Sequence, residues 1–447
     1  MDREQVVEMK EQLSVPAGGQ GVATASADRA PQAPSVLTKA VIIVGPPWPR
    51  SGTARVIQNQ IQYYRARGFY TVFVSVPFFW YYMYVNEMID GMDELGADRV
   101  INARLEKKRY ATAKIKASLR HAFRGTALDW QVAVGKAALL KKEEIGFLGK
   151  LRAEILHVNH VYTLGFALDL RARLFGSDSR LPIVLETHDV QSHLLQQKGD
   201  RNPWTRRPDS LERLIKSETE LLQKADALIH LSVDDFKLFQ TLLPSKPQFL
   251  AFPTIDENFS YIVKTASLPA ESIDLLFVGQ WHPPNLAAVK WFLEEVWPLI
   301  ADRGYKLRIV GPIGPMVQRE LPQLHEAFRS CFAGEVDDLV PFYRAARCVI
   351  APMVSGSGTS IKTIEALALG KPFVGTSKAF RGMPMERLKE AGICAHDDPQ
   401  DFADAIVQAL YNEHQAQLLS RTAYDNVFSV SATYASRDLA LRSISSA

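Results

Sequence analysis

The feature that most constrains this fold is a strand that stops at a glycine turn and passes at once into a helix. Ala40 to Val44 (AVIIV) is short, apolar and β-branched, and it ends at Gly45-Pro46-Pro47, the pattern of a buried strand entering a turn. Ser51-Gly52-Thr53 then opens ARVIQNQIQYYRARG. Its Val56, Ile57, Ile61 and Tyr64 recur at helical spacing, and Gly68 stands at the stop. Phe69 to Val76 reads as a second strand. Strand, helix and strand in this order form a βαβ unit, which requires a parallel sheet.

The rhythm continues along the chain. Glu154 to Val158 and Leu181 to Leu185 read as strands, the second delivering Glu186-Thr187-His188-Asp189. Asp209 to Lys224 reads as a charged helix and Ala227 to Leu231 as another strand. Phe249 to Phe259 holds a proline, polar residues and no periodicity, and is the linker candidate. The pattern then restarts with a strand at Ile273 to Val278, a helix at Asn285 to Ile300 and a strand at Leu307 to Val310 ending at Gly311. A short helix at Leu339 to Ala346 and a strand at Cys348 to Ala351 follow. A helix from Gly358 to Leu369 stops at Gly370, and Pro372 to Gly375 is a further strand. Two βα arrays predict an α/β protein of two doubly wound domains, at 38–252 and 253–447, behind a tail at 1–37.

Composition narrows the function classes. With 52 Lys and Arg against 49 Asp and Glu in 447 residues the formal net charge is +3, which excludes a strongly basic nucleic-acid binder at whole-chain level. Cys331, Cys348 and Cys394 are odd in number and none lies in C-x-x-C, so neither a disulfide framework nor structural zinc is expected, and a reducing cytoplasm is. No run of about 20 apolar residues is present to span a membrane. Residues 1–37 lack the apolar segment of a signal peptide and are expected to form a flexible tail.

Charge is concentrated in one place. Between Arg99 and Arg152 fourteen Lys and Arg face four Asp and Glu, a local +10, and much of this stretch has helical spacing. It reads as a basic helical insertion in the first domain. Just before it, Val76 to Val85 (VPFFWYYMYV) is densely aromatic, and aromatic residues favour membrane interfaces. Together they suit an anionic membrane surface as a partner, against the plainer alternative of a solvated helix face beside an aromatic core or acceptor-cleft segment. No nucleic-acid recognition motif accompanies the charge.

In open parallel sheets ligands bind beyond the carboxyl ends of the strands, and three loops stand there. The richest runs from Ala351 to Pro372, APMVSGSGTSIKTIEALALGKP. Gly356 and Gly358 let the backbone approach a ligand closely. Thr359, Ser360 and the free amides of the following turn suit an anion. Lys362 adds a mobile positive charge, and Glu365 stands where a carboxylate can accept bonds from a diol such as a ribose. The alternative is a plain capped helix start with a solvated lysine. No Walker A pattern is present. The second loop, GPPWPRSGT from Gly45 to Thr53, places Gly52 and Thr53 at a helix start but lacks G-x-G-x-x-G. The third carries His188, able to meet a sugar hydroxyl or a metal, although His157, His160 and His193 offer no convincing ligand spacing with it.

The C-terminal half resembles the group 1 glycosyltransferases of the GT-B fold, glycosyltransferase family 4 and its close relatives. The resemblance rests on FVGQWHPPNLAAVKWFLEEVWP (277–298), LRIVGPIGP (307–315), AGEVDDLVPFYRAARCVIAPMVSGSGTSIKTIEALALGKPFVGTS (333–377) and FRGM (380–383). The N-terminal half is similar in outline only, through its glycine loop and the strand ending in THD. The resemblance implies two Rossmann-like domains facing across a cleft, the second holding a nucleoside-diphosphate sugar and the first shaping the acceptor site, with the last helix packing back on the first domain. It also implies roles for single residues. Glu365 contacts the donor ribose, Gly358 and Thr359 offer amides to the diphosphate with Lys362 nearby, Gly52 approaches from across the cleft, and His188 meets the transferred sugar. The loops at Gly311 and Gly334 to Val336 flank the base, and Gly279 is a further donor-binding position.

Two positions depart from the family pattern. The E-x7-E pair would need a carboxylate where Ser357 stands, and the usual cation after the first glycine of the second domain is replaced in Gly279-Gln280-Trp281-His282. Lys362, with Arg381 or Arg50, is left to neutralise the diphosphate. The expected activity is retaining transfer of a glycosyl group to a glycan or lipid-linked acceptor in cell-surface polysaccharide or glycan synthesis. No cofactor or essential metal is expected beyond the nucleotide-sugar donor. The alternatives are a non-catalytic nucleotide-sugar-binding protein, or another GT-B enzyme such as a nucleotide-sugar epimerase or a phosphorylase.

Overall fold

The computed structural model describes residues 39–48, 51–77, 92–104, 107–123, 125–136, 138–176, 180–198, 209–255, 272–336 and 338–445. The expected tail at 1–37, most of the aromatic run at 76–85, and Arg50 lie outside them.

The first sheet holds seven strands: β1 (Lys39–Gly45), β2 (Tyr70–Ser75), β3 (Arg99–Asn102), β4 (Arg152–Asn159), β5 (Ile183–Thr187), β6 (Ala227–His230) and β7 (Gln248–Leu250). Their order is β3-β2-β1-β4-β5-β6-β7 and every pairing is parallel. Side chains alternate across a strand, so Ala40, Ile42 and Val44 enter the core on one face while Val41 and Ile43 enter that on the other. All five are fully buried, which is why β1 reads as an unbroken apolar run.

The second sheet repeats the plan with β8 (Ile273–Val278), β9 (Leu307–Val310), β10 (Phe332–Gly334), β11 (Ala346–Ala351) and β12 (Phe373–Gly375). Its order is β10-β9-β8-β11-β12, again all parallel. The strand order turns around between β1 and β4 in one sheet and between β8 and β11 in the other. Doubly wound sheets open their ligand crevice at such switch points.

Several expected boundaries move. The basic stretch at 99–152 begins in strand β3 and ends in β4, so it is the crossover between two sheet strands, carrying helices Lys107–Phe123, Ala127–Gly135 and Lys142–Leu148. Phe249 and Leu250 of the expected linker belong to β7, too short for any periodicity to show. The helix expected at 285–300 runs as Pro283–Trp291, then a π turn at Phe292–Val296 and a 3-10 turn at Trp297–Leu299. Pro298 lacks an N–H and crowds the preceding turn, so the regular ladder cannot continue through it. The helix expected from Gly358 starts only at Ile361 and runs to Ala368. Gly356 and Gly358 hold φ of +131° and +64°, outside helical backbone.

The last helix, Val430–Ser445, lies against the first sheet. Ala440 joins the apolar cluster containing Val41 and Ile43, with Tyr434, Leu441 and Ile444 packed on it. Arg437 makes two charge-assisted bonds to Glu186 near the end of β5, Nη1 to Oε2 at 2.6 Å and Nη2 to Oε1 at 2.9 Å. Glu186 also faces His157 Nε2 at 3.1 Å, and His157 Nδ1 faces the Tyr64 hydroxyl at 2.8 Å. Burial alone would raise the Glu186 carboxyl, but Arg437 and then His157 outweigh it and hold it well below the usual glutamate range.

Both members of this ion pair are almost wholly buried, so removing one strands the other. Arg437→Met is expected to destabilise the fold by about 3–5 kcal/mol, read from the denaturant midpoint, and Arg437→Met with Glu186→Gln by much less. Because the folded carboxyl is held low, the pair's contribution is present above the ordinary glutamate pKa and is lost as pH falls through the lowered value.

Candidate active site

Three loops and two helix starts meet where the two switch points face each other. From the first sheet come the start of helix Gly52–Ala66 after β1, His160 after β4 and His188-Asp189 after β5. The second sheet contributes the 352–360 turn after β11 and the start of helix Ile361–Ala368.

The two halves touch here. A Cβ added at Gly358 would lie 2.6 Å from Asp189 Oδ1, and φ is +64°, so close approach and left-handed backbone both demand glycine. The Thr359 hydroxyl donates to the Leu231 carbonyl at 2.8 Å, and the Val233 N–H to the Gly382 carbonyl at 2.8 Å. Gly52 faces Ile361, whose Cγ1 would be 3.1 Å from an added Cβ. Across the same cleft Arg55 Nη2 stands 3.6 Å from Glu365 Oε1, while the Tyr343 hydroxyl donates to Glu365 Oε2 at 2.9 Å. Burial raises the Glu365 carboxyl, and Arg55 opposes that.

Lys362 points back under the turn. Its Nζ donates to Asn285 Oδ1 at 2.8 Å and sits 4.6 Å from the Phe277 ring centroid. Burial, followed by the nearby Arg381 charge, pushes its ammonium down to about 7. An anion arriving beside it would favour the charged form. Arg381 lies along Gly356 and donates Nε to the Ser357 carbonyl at 2.9 Å. Its guanidinium therefore flanks Ser357. Ser360 is buried and accepts from the Thr363 hydroxyl at 3.0 Å instead of capping the helix backbone.

A second group gathers at the ends of β8 and β9. Gly279 donates its N–H to the Val310 carbonyl at 2.9 Å, and Gly311 donates to the Gly334 carbonyl at 2.7 Å. Gly311 has φ +111°, and an added Cβ would strike the Gly279 carbonyl. Asn285 joins this group to the lysine, since its Nδ2 donates to the Gln280 carbonyl at 2.9 Å. Val336 packs on the second core. Arg50 lies outside the described residues.

On the first-sheet side, His188 and His160 stack with centroids 3.9 Å apart and planes at 18°. His188 Nε2 meets Asn159 Oδ1 at 2.9 Å, and His160 Nε2 meets the Thr53 hydroxyl at 3.3 Å. Burial pushes His188 down to about 4. Burial and then His188 push His160 well below the ordinary histidine range. Both rings are therefore neutral. His160 has φ +64° and ψ 138°, a strained backbone for a residue with a Cβ, costing of order 1–3 kcal/mol. Among the described residues no group of three or more His, Cys, Asp or Glu is placed to hold a metal ion.

Sequence reasoning missed Arg55, Asn285, Tyr343 and His160 as parts of this site. Arg55 stands three residues after Gly52 on the first helical turn, and His160 follows a strand at the switch point, so both carried a positional signal. Tyr343 and Asn285 carried none, because only tertiary packing brings them to Glu365 and Lys362.

Two doubly wound parallel sheets with their loop-bearing carboxyl ends turned toward each other define the GT-B fold. Residues 272–412 match the family model described as Glycosyl transferases group 1. Solved structures of the same fold include HepE from Anabaena in complex with UDP, at 12% identity and TM-score 0.57 over 90% of this chain and 100% of that one. A TarM mutant from S. aureus in complex with fondaparinux, alpha-GlcNAc-glycerol and UDP aligns at 10% identity and TM-score 0.56, over 91% and 100%. The catalytic domain of starch synthase IV from Arabidopsis thaliana, bound to ADP and acarbose, aligns at 13% and 0.54, over 91% and 99%. No curated protein matches by sequence.

Gly358→Ala tests the contact between the halves. The methyl group meets Asp189 and the backbone is left-handed, so a loss of roughly 1–2 kcal/mol is expected from the backbone alone, with more from the clash. Adding Asp189→Ala should recover the clash part only, and thermal unfolding of the single and double variants separates the two.

Proposed function

We propose that this chain transfers a glycosyl group, with retention of configuration, from a nucleoside-diphosphate sugar to a hydroxyl of a glycan or lipid-linked acceptor. The observation that supports this best is the meeting of the 356–360 turn, with Lys362, Glu365 and Arg381 around it, and the His188 loop across the cleft. The turn's backbone amides, Lys362 and Arg381 take the diphosphate, and Glu365 takes the ribose diol in place of Arg55. His188 lies over the sugar.

In the reaction the bond between the anomeric carbon and the diphosphate oxygen breaks as the acceptor oxygen forms its own bond to that carbon. The acceptor proton leaves on the departing phosphate oxygen. Charge grows on the leaving oxygens, so preorganised amides and cations there lower the barrier, and losing one such donor costs on the order of 10²–10³ in rate. Gln280 and Ser357 supply no charge to this task, which places more of it on Lys362 and Arg381. The UDP bound by HepE and TarM, and the ADP bound by starch synthase IV, make uridine and adenosine diphosphates the first donors to try.

The test is thermal stability against UDP, GDP, ADP and CMP and their sugars, for wild type and Glu365→Ala. A ligand at about 100 times its Kd adds about 2.7 kcal/mol, a shift of a few degrees. The expected result is a shift with one base that Glu365→Ala weakens. No shift with any nucleotide removes the proposal in favour of a non-enzymatic role, and donor turnover without acceptor would favour an epimerase.

We also propose that a lipid-linked acceptor is met at an anionic membrane surface. On helix Lys107–Phe123, Ile115 and Leu119 lie one turn apart and are 55% and 52% exposed. Lys108, Lys114 and Lys116 are exposed on the same helix. Each such cation adds about 1 kcal/mol near an anionic surface. Co-sedimentation with phosphatidylcholine vesicles should rise when phosphatidylglycerol is added and should fall for Ile115→Asp/Leu119→Asp. Binding indifferent to either change would remove this part. No helix among the described residues is long and apolar enough to cross a membrane.

A further inference from the structure

The stacked histidine pair contains a residue that the glycosyl-transfer reading does not use. His160 follows β4 at the switch point of the first sheet, and it is 4% exposed. Its ring is held on several sides: His188 at 3.9 Å and 18°, Tyr162 at 4.8 Å and 19°, and Trp48 edge-on at 5.4 Å. Its Nε2 meets the Thr53 hydroxyl at the start of the first helix. Its Nδ1 is buried with no hydrogen-bond partner among the described residues. His160 is also the one residue other than glycine with positive φ among those described.

These observations bear on what His188 can do. The Asn159 side-chain oxygen accepts from His188 Nε2, so in the neutral ring the proton sits on Nε2 and Nδ1 is left as an acceptor. A lone pair orients a ligand hydroxyl only if the ring cannot turn. The parallel face of His160 blocks that rotation. Through Thr53 the same ring also fixes the helix start that faces Ile361 of the second half. Strained backbone persists where surrounding contacts over-determine it, and such strain clusters at functional sites.

We propose that His160 is a positioning residue for the transferred sugar, locking His188 so that its Nδ1 accepts from a sugar hydroxyl, and tying that lock to the Thr53 helix start. This rests on the donor-site reading above. In the donor-site reading the cations and the carboxylate that take the diphosphate and ribose, Lys362, Arg381 and Glu365, belong to the other half, so loss of His160 should fall mainly on the sugar.

The experiment separates sugar from nucleotide. The nucleoside diphosphate that wild type binds most tightly among UDP, GDP and ADP, and its glucose ester, are titrated calorimetrically into wild type, His160→Gly and His160→Phe. Glycine removes the ring and relieves the strained φ. Phenylalanine keeps the stacking area and removes both nitrogens, so at least one variant is expected to fold, as thermal unfolding shows. The expected result is that His160→Gly weakens the sugar nucleotide about tenfold relative to the diphosphate while diphosphate affinity stays within about twofold. His160→Phe should retain most of the sugar discrimination, because the stack remains. If both variants keep the wild-type ratio of the two affinities, or lose both ligands equally, the positioning role is wrong while the donor site stands. If wild type binds none of the nucleotides, the donor-site reading falls and this inference falls with it.

Discussion

The paired charge of Arg437 and Glu186 holds the rest of this molecule in relation. Arg437 belongs to the last helix and Glu186 to the strand end that delivers His188 two residues later. A carboxylate in an apolar interior is tolerated only when a partner and hydrogen bonds replace its lost water. The Arg437 guanidinium supplies that partner, with His157 beside it. The end of the chain is brought back onto the first sheet, closing the apolar face formed by Val41 and Ile43. His157 and Tyr64 extend the network from Glu186 into β4 and the first helix, the two elements that frame the crevice.

From this frame the site follows as a problem of charge and close approach. Gln280 is neutral, while Lys362, Arg381 and Arg55 approach from three elements. Burial and the Arg381 charge push the Lys362 ammonium down, and burial pushes the Glu365 carboxyl up. The glycines at 356 and 358 let a turn of backbone reach the opposing half, where any side chain would hold it off Asp189.

Much of the fold was legible because buried parallel strands carry no ambiguity of face. β1, β5, β8 and β11 read as apolar runs, and glycine stops such as Gly68 and Gly370 mark the helix ends. The strands that escaped notice, β3, β7 and β10, are three or four residues long at or near sheet edges, where no period can be established. The helix boundaries at 300 and 358 moved for local reasons that Pro298 and the left-handed glycines explain. In the site, Lys362 and Glu365 were visible because they share one helix with the glycine turn. Arg55, Tyr343 and Asn285 were not, since each reaches its partner through space from a different element.

The sequence by itself determined two parallel sheets and their glycine turns, because these depend on apolar runs, backbone freedom and spacing along one segment. Tertiary structure alone decided which cations face Glu365, that the last helix returns to Glu186, and that His160 is stacked on His188 with a strained backbone. Those choices depend on which loops the two switch points bring within a few ångströms of each other. No local pattern encodes that distance.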